Sequence, residues 1–200
     1  MSFDEITSGI RTLHARPEIL IEEVPPPMKL APFSYALTAD LIDPLDEDQD
    51  LATARFVLLH DPLGQDGWNG KFRCVTFVRA KVDPEMVSDP IVANVGWSWL
   101  KESLEKFDCG YIQPSGTVTR VASSSFGALD NRTDESELEV RASWTPTHGN
   151  QVNGHVLAWL ELIELCSGLE PLPDGVAQIY RSSLSSNSSN SSNSSSSTFA

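Results

Sequence analysis

A chain of 200 residues with 28 acidic against 14 basic side chains and a net charge of −14 has the length of one ordinary domain and a strongly anionic surface. That balance excludes direct binding to a nucleic-acid backbone, because counterion release needs a basic surface. No stretch approaches transmembrane length, and MSFDEITSG lacks the basic start and apolar run of a secretion signal, so the expectation is a cytoplasmic protein with no membrane partner.

Ser2 followed by Glu5 has the pattern of a capping box, and Ile6, Ile10 and Leu13 then share one face, predicting a first helix over 3–14. Ile19, Ile21 and Val24 suggest an extended segment, an edge strand or a strap, which Pro25, Pro26 and Pro27 must end because each fixes φ and removes a donor. Tyr35, Leu37, Ala39 and Leu41 alternate with smaller or polar residues, the period of a strand over 33–42. It is expected to end in a solvated acidic loop, six of the eleven residues from Asp40 to Asp50 being Asp or Glu. A second strand over 54–60 should stop near Asp61, where DPLGQDG supplies turn chemistry, and a third over 72–82 should return as its hairpin partner.

Asp89 before Pro90 reads as a helix start, and Trp97, Leu100, Leu104 and Phe107 then recur at helical spacing until Gly110. Residues 117–126 and 137–145 make two further strands closed by Pro146, and Val152, Val156, Trp159, Leu160 and Ile163 fit a last helix stopped at Gly168. The expected order is helix, three strands, helix, two strands, helix: an α+β domain over 1–180 with about five antiparallel strands and helices on one face. This order is similar to that of secretion-chaperone-like folds, a likeness of element order that names no partner. Residues 182–197 hold 12 Ser, 3 Asn and one Leu, too little apolar surface to offset ordering entropy, so 181–200 is expected to be a disordered tail.

Five sequence words, RPEILIEEVPPPMKLAPFSYAL at 16–37, HDPLGQDGWNG at 60–70, VGWSWL at 95–100, SGTVTRVASSSFG at 115–127 and ELEVRASWTP at 137–146, agree in order and spacing with a known family. On them, over about 16–169, the chain resembles an actinobacterial domain-of-unknown-function family, the one numbered three thousand. The resemblance implies no activity. It does imply a link to RNA metabolism by way of a protein partner, since such genes are often encoded near an exonuclease of the ribonuclease-D type.

The candidate chemistry is sparse. Asp46, Asp48 and Asp50 have the alternation of a calcium loop, but Leu51 stands where the turn glycine is needed and Val57 where the bidentate Glu should be. Ser98 lacks the second glycine of a nucleophile elbow and lies inside a helix. His60 and Asp61 would make an acid–base pair only if two neighbours on a strand pointed together. His148 and His155 have no Glu or Cys at ligand spacing and read as surface or capping residues. Cys74, Cys109 and Cys166 are an odd set in apolar surroundings, the pattern of buried reduced thiols. Trp97, Trp144 and Trp159 belong to core faces, whereas Trp68, in a loop, and Trp99, off its helix stripe, are candidate exposed anchors.

One pattern stands out. Seven of the fourteen basic residues lie in or at the ends of predicted strands: Arg55, Lys71, Arg73, Arg79, Lys81, Arg120 and Arg141. Alternation puts Arg73, Arg79 and Lys81 on one face with Val75 and Phe77, and puts Arg55 and Arg141 opposite the core. Pairing with Glu137, Glu139 and Asp40 would reduce this face to ordinary surface salt bridges. Otherwise it is a docking face for an acidic or mixed polypeptide or for a second copy, formed by Arg55, Arg73, Val75, Phe77, Arg79, Arg141 and Trp68 and testable by charge reversal at Arg73 and Arg79. The leading expectation is a non-enzymatic adaptor or chaperone-like module with no cofactor and no metal. The alternative is a small enzyme or accessory factor of RNA metabolism with a site around His60.

Overall fold

The structure, a computed structural model, describes residues 2–43, 46–131, 134–149 and 151–169, with the backbone alone at 46–48. The Ser/Asn-rich tail lies outside the described residues. The elements run α1 (Phe3–Ile10), β1 (Ile19–Val24), β2 (Phe33–Asp43), β3 (Asp46–Gln65), β4 (Gly70–Lys81), α2 (Pro84–Ser88), α3 (Val92–Lys106), β5 (Tyr111–Ser123), a 3-10 turn (Gly127–Leu129), β6 (Glu135–Pro146) and α4 (Val152–Cys166). They make an α+β fold in which all six strands join one antiparallel sheet in the order β1-β2-β3-β4-β6-β5.

Six strands replace the expected five because the segment before the triple proline pairs along its whole length with β2, from Ile19 opposite Leu41 to Val24 opposite Ala36. The acidic stretch is strand on both sides of its turn, with Ile42 opposite Asp50 and Asp43 opposite Asp46 across two register shifts. The next hairpin also extends past the expected stop. Gly64 at φ 79° absorbs an irregularity, Gln65 pairs with Gly70, and the turn falls on Asp66–Asn69, with Asn69 at φ 55°.

The Ser2 hydroxyl accepts from the Glu5 amide at 3.2 Å, and the Glu5 carboxylate accepts from the Ser2 amide at 2.6 Å, so α1 has its capping box, although it ends at Ile10 rather than near His14. Asp89 does not cap α3 directly; its side chain accepts from the Ile91 amide at 2.9 Å and turns the chain out of α2, a short helix absent from the sequence reading.

Alternation sends one face of every strand to the helices. Tyr35, Leu37, Ala39 and Leu41 from β2, Ala54, Phe56 and Leu58 from β3, Cys74 and Val78 from β4, and Val140, Ala142 and Trp144 from β6 join Leu100, Leu104, Val156, Trp159 and Ile163 in one core. Phe56 sits at its centre, tilted against Trp159 at 5.6 Å and Trp144 at 6.4 Å. The other face carries no described helix. Part of it is closed by a second, smaller cluster of Ala36, Val57 and Leu59, packed under Val24, Ala31, Trp68 and Val75.

Candidate functional site on the outer sheet face

The register lays out the outer face row by row. One cross-strand row reads Val24, Ala36, Val57, Val75, Ser143 and Ser115; the next reads Glu22, Thr38, Arg55, Phe77, Arg141 and Thr117; a third reads Leu20, Asp40, Thr53, Arg79, Glu139 and Thr119. The apolar row is partly roofed and the other two face solvent. In the middle row a half-buried Phe77 lies between two exposed arginines, with the Arg141 guanidinium 4.8 Å from its ring centroid. Such a contact is worth about 0.5–1 kcal/mol at an exposed site, which favours the arginine over the ring. Arg55 donates to the Pro25 carbonyl at 3.2 Å, and among the described residues it has no ion pair with a carboxylate.

Of the cross-strand pairs anticipated with Glu137, Glu139 and Asp40, the first exists, Glu139 is paired within its own strand, and Asp40 is not paired among the described residues. Arg79 bridges Glu137 at 2.7 Å and Arg141 bridges Glu139 at 3.1 Å, whereas Asp40 makes no ion pair among the described residues. Burial, then the nearby Asp50 and Glu22, hold the Asp40 carboxyl above its usual range. Beside the third row, an open polar depression of about 330 Å³ is lined by Asp50, Thr53, Arg79, Lys81, Glu135 and Glu137, where Lys81 donates to the Gln49 amide oxygen at 2.7 Å.

Arg73 departs from expectation. It belongs to the outer-face parity but is only 8 % exposed, so it is not available to a partner. Its Nη1 donates to the Gln113 carbonyl and to Thr145 Oγ1, each at 3.0 Å, and its Nη2 donates to Ser115 Oγ at 3.1 Å and Ser143 Oγ at 2.7 Å. All four acceptors are neutral. Desolvation pulls its pKa below the usual arginine value, with no carboxylate to oppose it. Gln113, at φ 53° in the bulge between Ile112 and Ser115, turns its carbonyl toward this guanidinium. The Thr145 hydroxyl in turn donates to the Trp68 carbonyl at 2.6 Å, so one chain of bonds ties the β3–β4 turn, β6 and the β5 bulge together. Trp68 is thereby folded onto the outer-face cluster; it is half-buried and no free anchor.

Arg120, opposite the buried Leu138, has the parity of the helix face, its Nη1 donating to the carbonyls of Val87 and Asp89 at 3.1 and 2.9 Å. Trp99 packs against the main core. His155, expected at the surface or as a cap, is 2 % exposed inside α4, where Nδ1 accepts from Trp144 Nε1 at 3.0 Å. That bond puts the remaining proton on Nε2, and burial lowers the pKa to about 4. The only sequence sign of this pair was a Trp and a His eleven residues apart on two core faces.

His60 sits among aromatic rings. Its ring stacks on Phe72 at 4.2 Å and 10°, with Phe3 and Phe33 each at 5.6 Å. Nδ1 is buried without a hydrogen-bond partner, and desolvation depresses the pKa. Among the described residues no hydrogen bond joins His60 to Asp61. The Asp61 carboxylate instead accepts from the Leu63 amide at 3.0 Å and the Gln65 side chain at 3.2 Å, bracing the hairpin. Cys74 and Cys166 are buried and Cys109 is partly so; all three are free thiols, and burial raises Cys109 to about 11 and Cys166 to about 12, far from thiolate chemistry. Among the described residues no three His, Cys, Asp or Glu side chains converge as metal ligands, and no helix is long and apolar enough to cross a membrane.

Compared with known proteins, residues 1–177 match the model of a family described as protein of unknown function (DUF3000). No curated protein matches the chain, and no solved structure does.

Proposed function

The chain belongs to the DUF3000 family, and we propose that it acts as a non-enzymatic adaptor that holds an acidic or mixed-charge polypeptide on the open part of its outer sheet face. The observation that carries this reading is the row Arg55–Phe77–Arg141, two exposed guanidinium groups flanking a half-buried aromatic ring on a face that no described helix covers. Arginine and aromatic side chains are the types that dominate interface energetics, since they combine contact area with directional donors. The Arg79–Glu137 and Arg141–Glu139 bridges do not close the face, because exposed pairs are worth about 0–1 kcal/mol and a partner carboxylate can exchange into them. Val75 extends the apolar ground beyond Phe77, up to the edge of Trp68. The net charge of −14 makes this basic row a local exception, and a local exception steers a partner to one face.

The test is a double reversal, Arg55→Glu with Arg141→Glu, in the full chain. Proteins recovered from cells with the native chain should be lost at least tenfold with the variant, while thermal unfolding stays within a few degrees of native. An unchanged partner set with a folded variant rejects the proposal. Arg73 is unsuited to this test, because reversing it removes an internal staple.

A further inference from the structure

The two edges of the sheet are built differently. β1 is six residues long, carries Glu22 and Glu23, and runs into Pro25, Pro26 and Pro27, the charge and proline that protect an edge from pairing. β5 is thirteen residues long, contains no Asp, Glu or Lys, and has one proline, Pro114, confined to the bulge at its start. Its single charge, Arg120, could have served as a guard, yet its guanidinium is tied to the carbonyls of Val87 and Asp89. Beyond the bulge, β5 pairs with β6 on one side, and among the described residues nothing pairs with the other.

We propose that β5 is a self-association edge, pairing antiparallel with β5 of a second copy across a two-fold axis perpendicular to the sheet. Three features select a second copy over a foreign peptide. A chain of net charge −14 repels its own copies, and β5 itself carries no carboxylate, so the repulsion between copies is least along that strand. The side chains of β5 are mostly exposed on both faces, whereas edge-binding domains select foreign peptides by enclosing alternate side chains beside the edge. Antiparallel pairing about Thr119, the middle of the 115–123 stretch beyond the bulge, also brings the segment just past its end, where Phe126 is 79 % exposed and Leu129 is 49 % exposed, beside the Tyr111–Ile112 end of the other copy. Pairing of this symmetry makes one twelve-stranded sheet, with helices of both copies on one side and both arginine rows on the other.

Thr119→Lys in the full chain is the test. In one copy the new lysine lies opposite Glu139 on β6 and is tolerated; at the seam it faces its own counterpart. Sedimentation velocity over a concentration series should show a dimer for the native chain and a monomer for the variant, at unchanged far-UV circular dichroism, with a thermal midpoint that rises with concentration in the native chain alone. Hydrogen exchange of the 117–123 amides should slow with concentration in the native chain alone. A native chain that stays monomeric at high concentration, including one that instead captures an extended foreign peptide, overturns the proposal, as does a dimer that Thr119→Lys leaves intact. Because Arg55 and Arg141 are not on the edge, failure of this proposal leaves the adaptor reading standing, and the reverse also holds.

Discussion

At the scale of single residues, Arg73 is an internal staple that joins β4 to β5 and β6. A guanidinium held by four neutral acceptors keeps its fork geometry only as arginine, and lysine can satisfy those acceptors only in part. Arg73→Lys should therefore cost about 2 kcal/mol, from buried acceptors left unpaired, measured as a fall in the urea midpoint. Alternation correctly put Arg73 on the outer-face parity. Its burial was not legible, because the residues that enclose it come from a bulge 40 positions away and from β6 about 70 positions away. His155 was missed for a similar reason: a histidine in the first turns of a helix reads as a cap until Trp144 is known to point at it.

Elements whose information is local were read well from sequence. The capping box of α1 is contained in four residues, and the structure has it. Ser2→Ala should lower stability by about 1 kcal/mol through loss of that cap, seen as a lower thermal midpoint with little change in helical signal, since α1 is only eight residues long. Strand interiors at 33–42, 54–60 and 72–81 were legible from a period of two, as was α4 from its apolar stripe and Gly168 at φ 66°. Ends were not. β3 begins at Asp46 and reaches Gln65 because Asp46 and Asp50 find partners in β2 and Gln65 finds Gly70 in β4, and partner availability is a property of the sheet. Composition pointed to loop at both places; the ladder overrode it.

For the molecule as a whole, burial couples fold to pH. His155 titrates near 6.5 when unfolded and near 4 when folded, so the unfolded state binds more protons between those values and stability falls as pH drops through that window. The contribution is complete above about pH 6.5 and gone below about pH 4, amounting to about 3 kcal/mol. Urea unfolding at several pH values should show this loss, and His155→Gln, which retains an acceptor for Trp144, should flatten it. His60 is shifted in the same direction by burial and adds to the trend. The sequence by itself determined the fold class, the family resemblance, the excess of acid and the concentration of arginines on strands, because periodicity, composition and charge are carried by near neighbours in the chain. Tertiary structure alone decided which arginines remain available, Arg55 and Arg141 on the surface, Arg73 inside and Arg120 turned to α2. It also decided that β5, last in the sheet order though fifth in the chain, is the unguarded edge. Exposure and edge position follow from which strands lie side by side, and pairing across 20 to 70 residues of chain leaves no mark on local pattern.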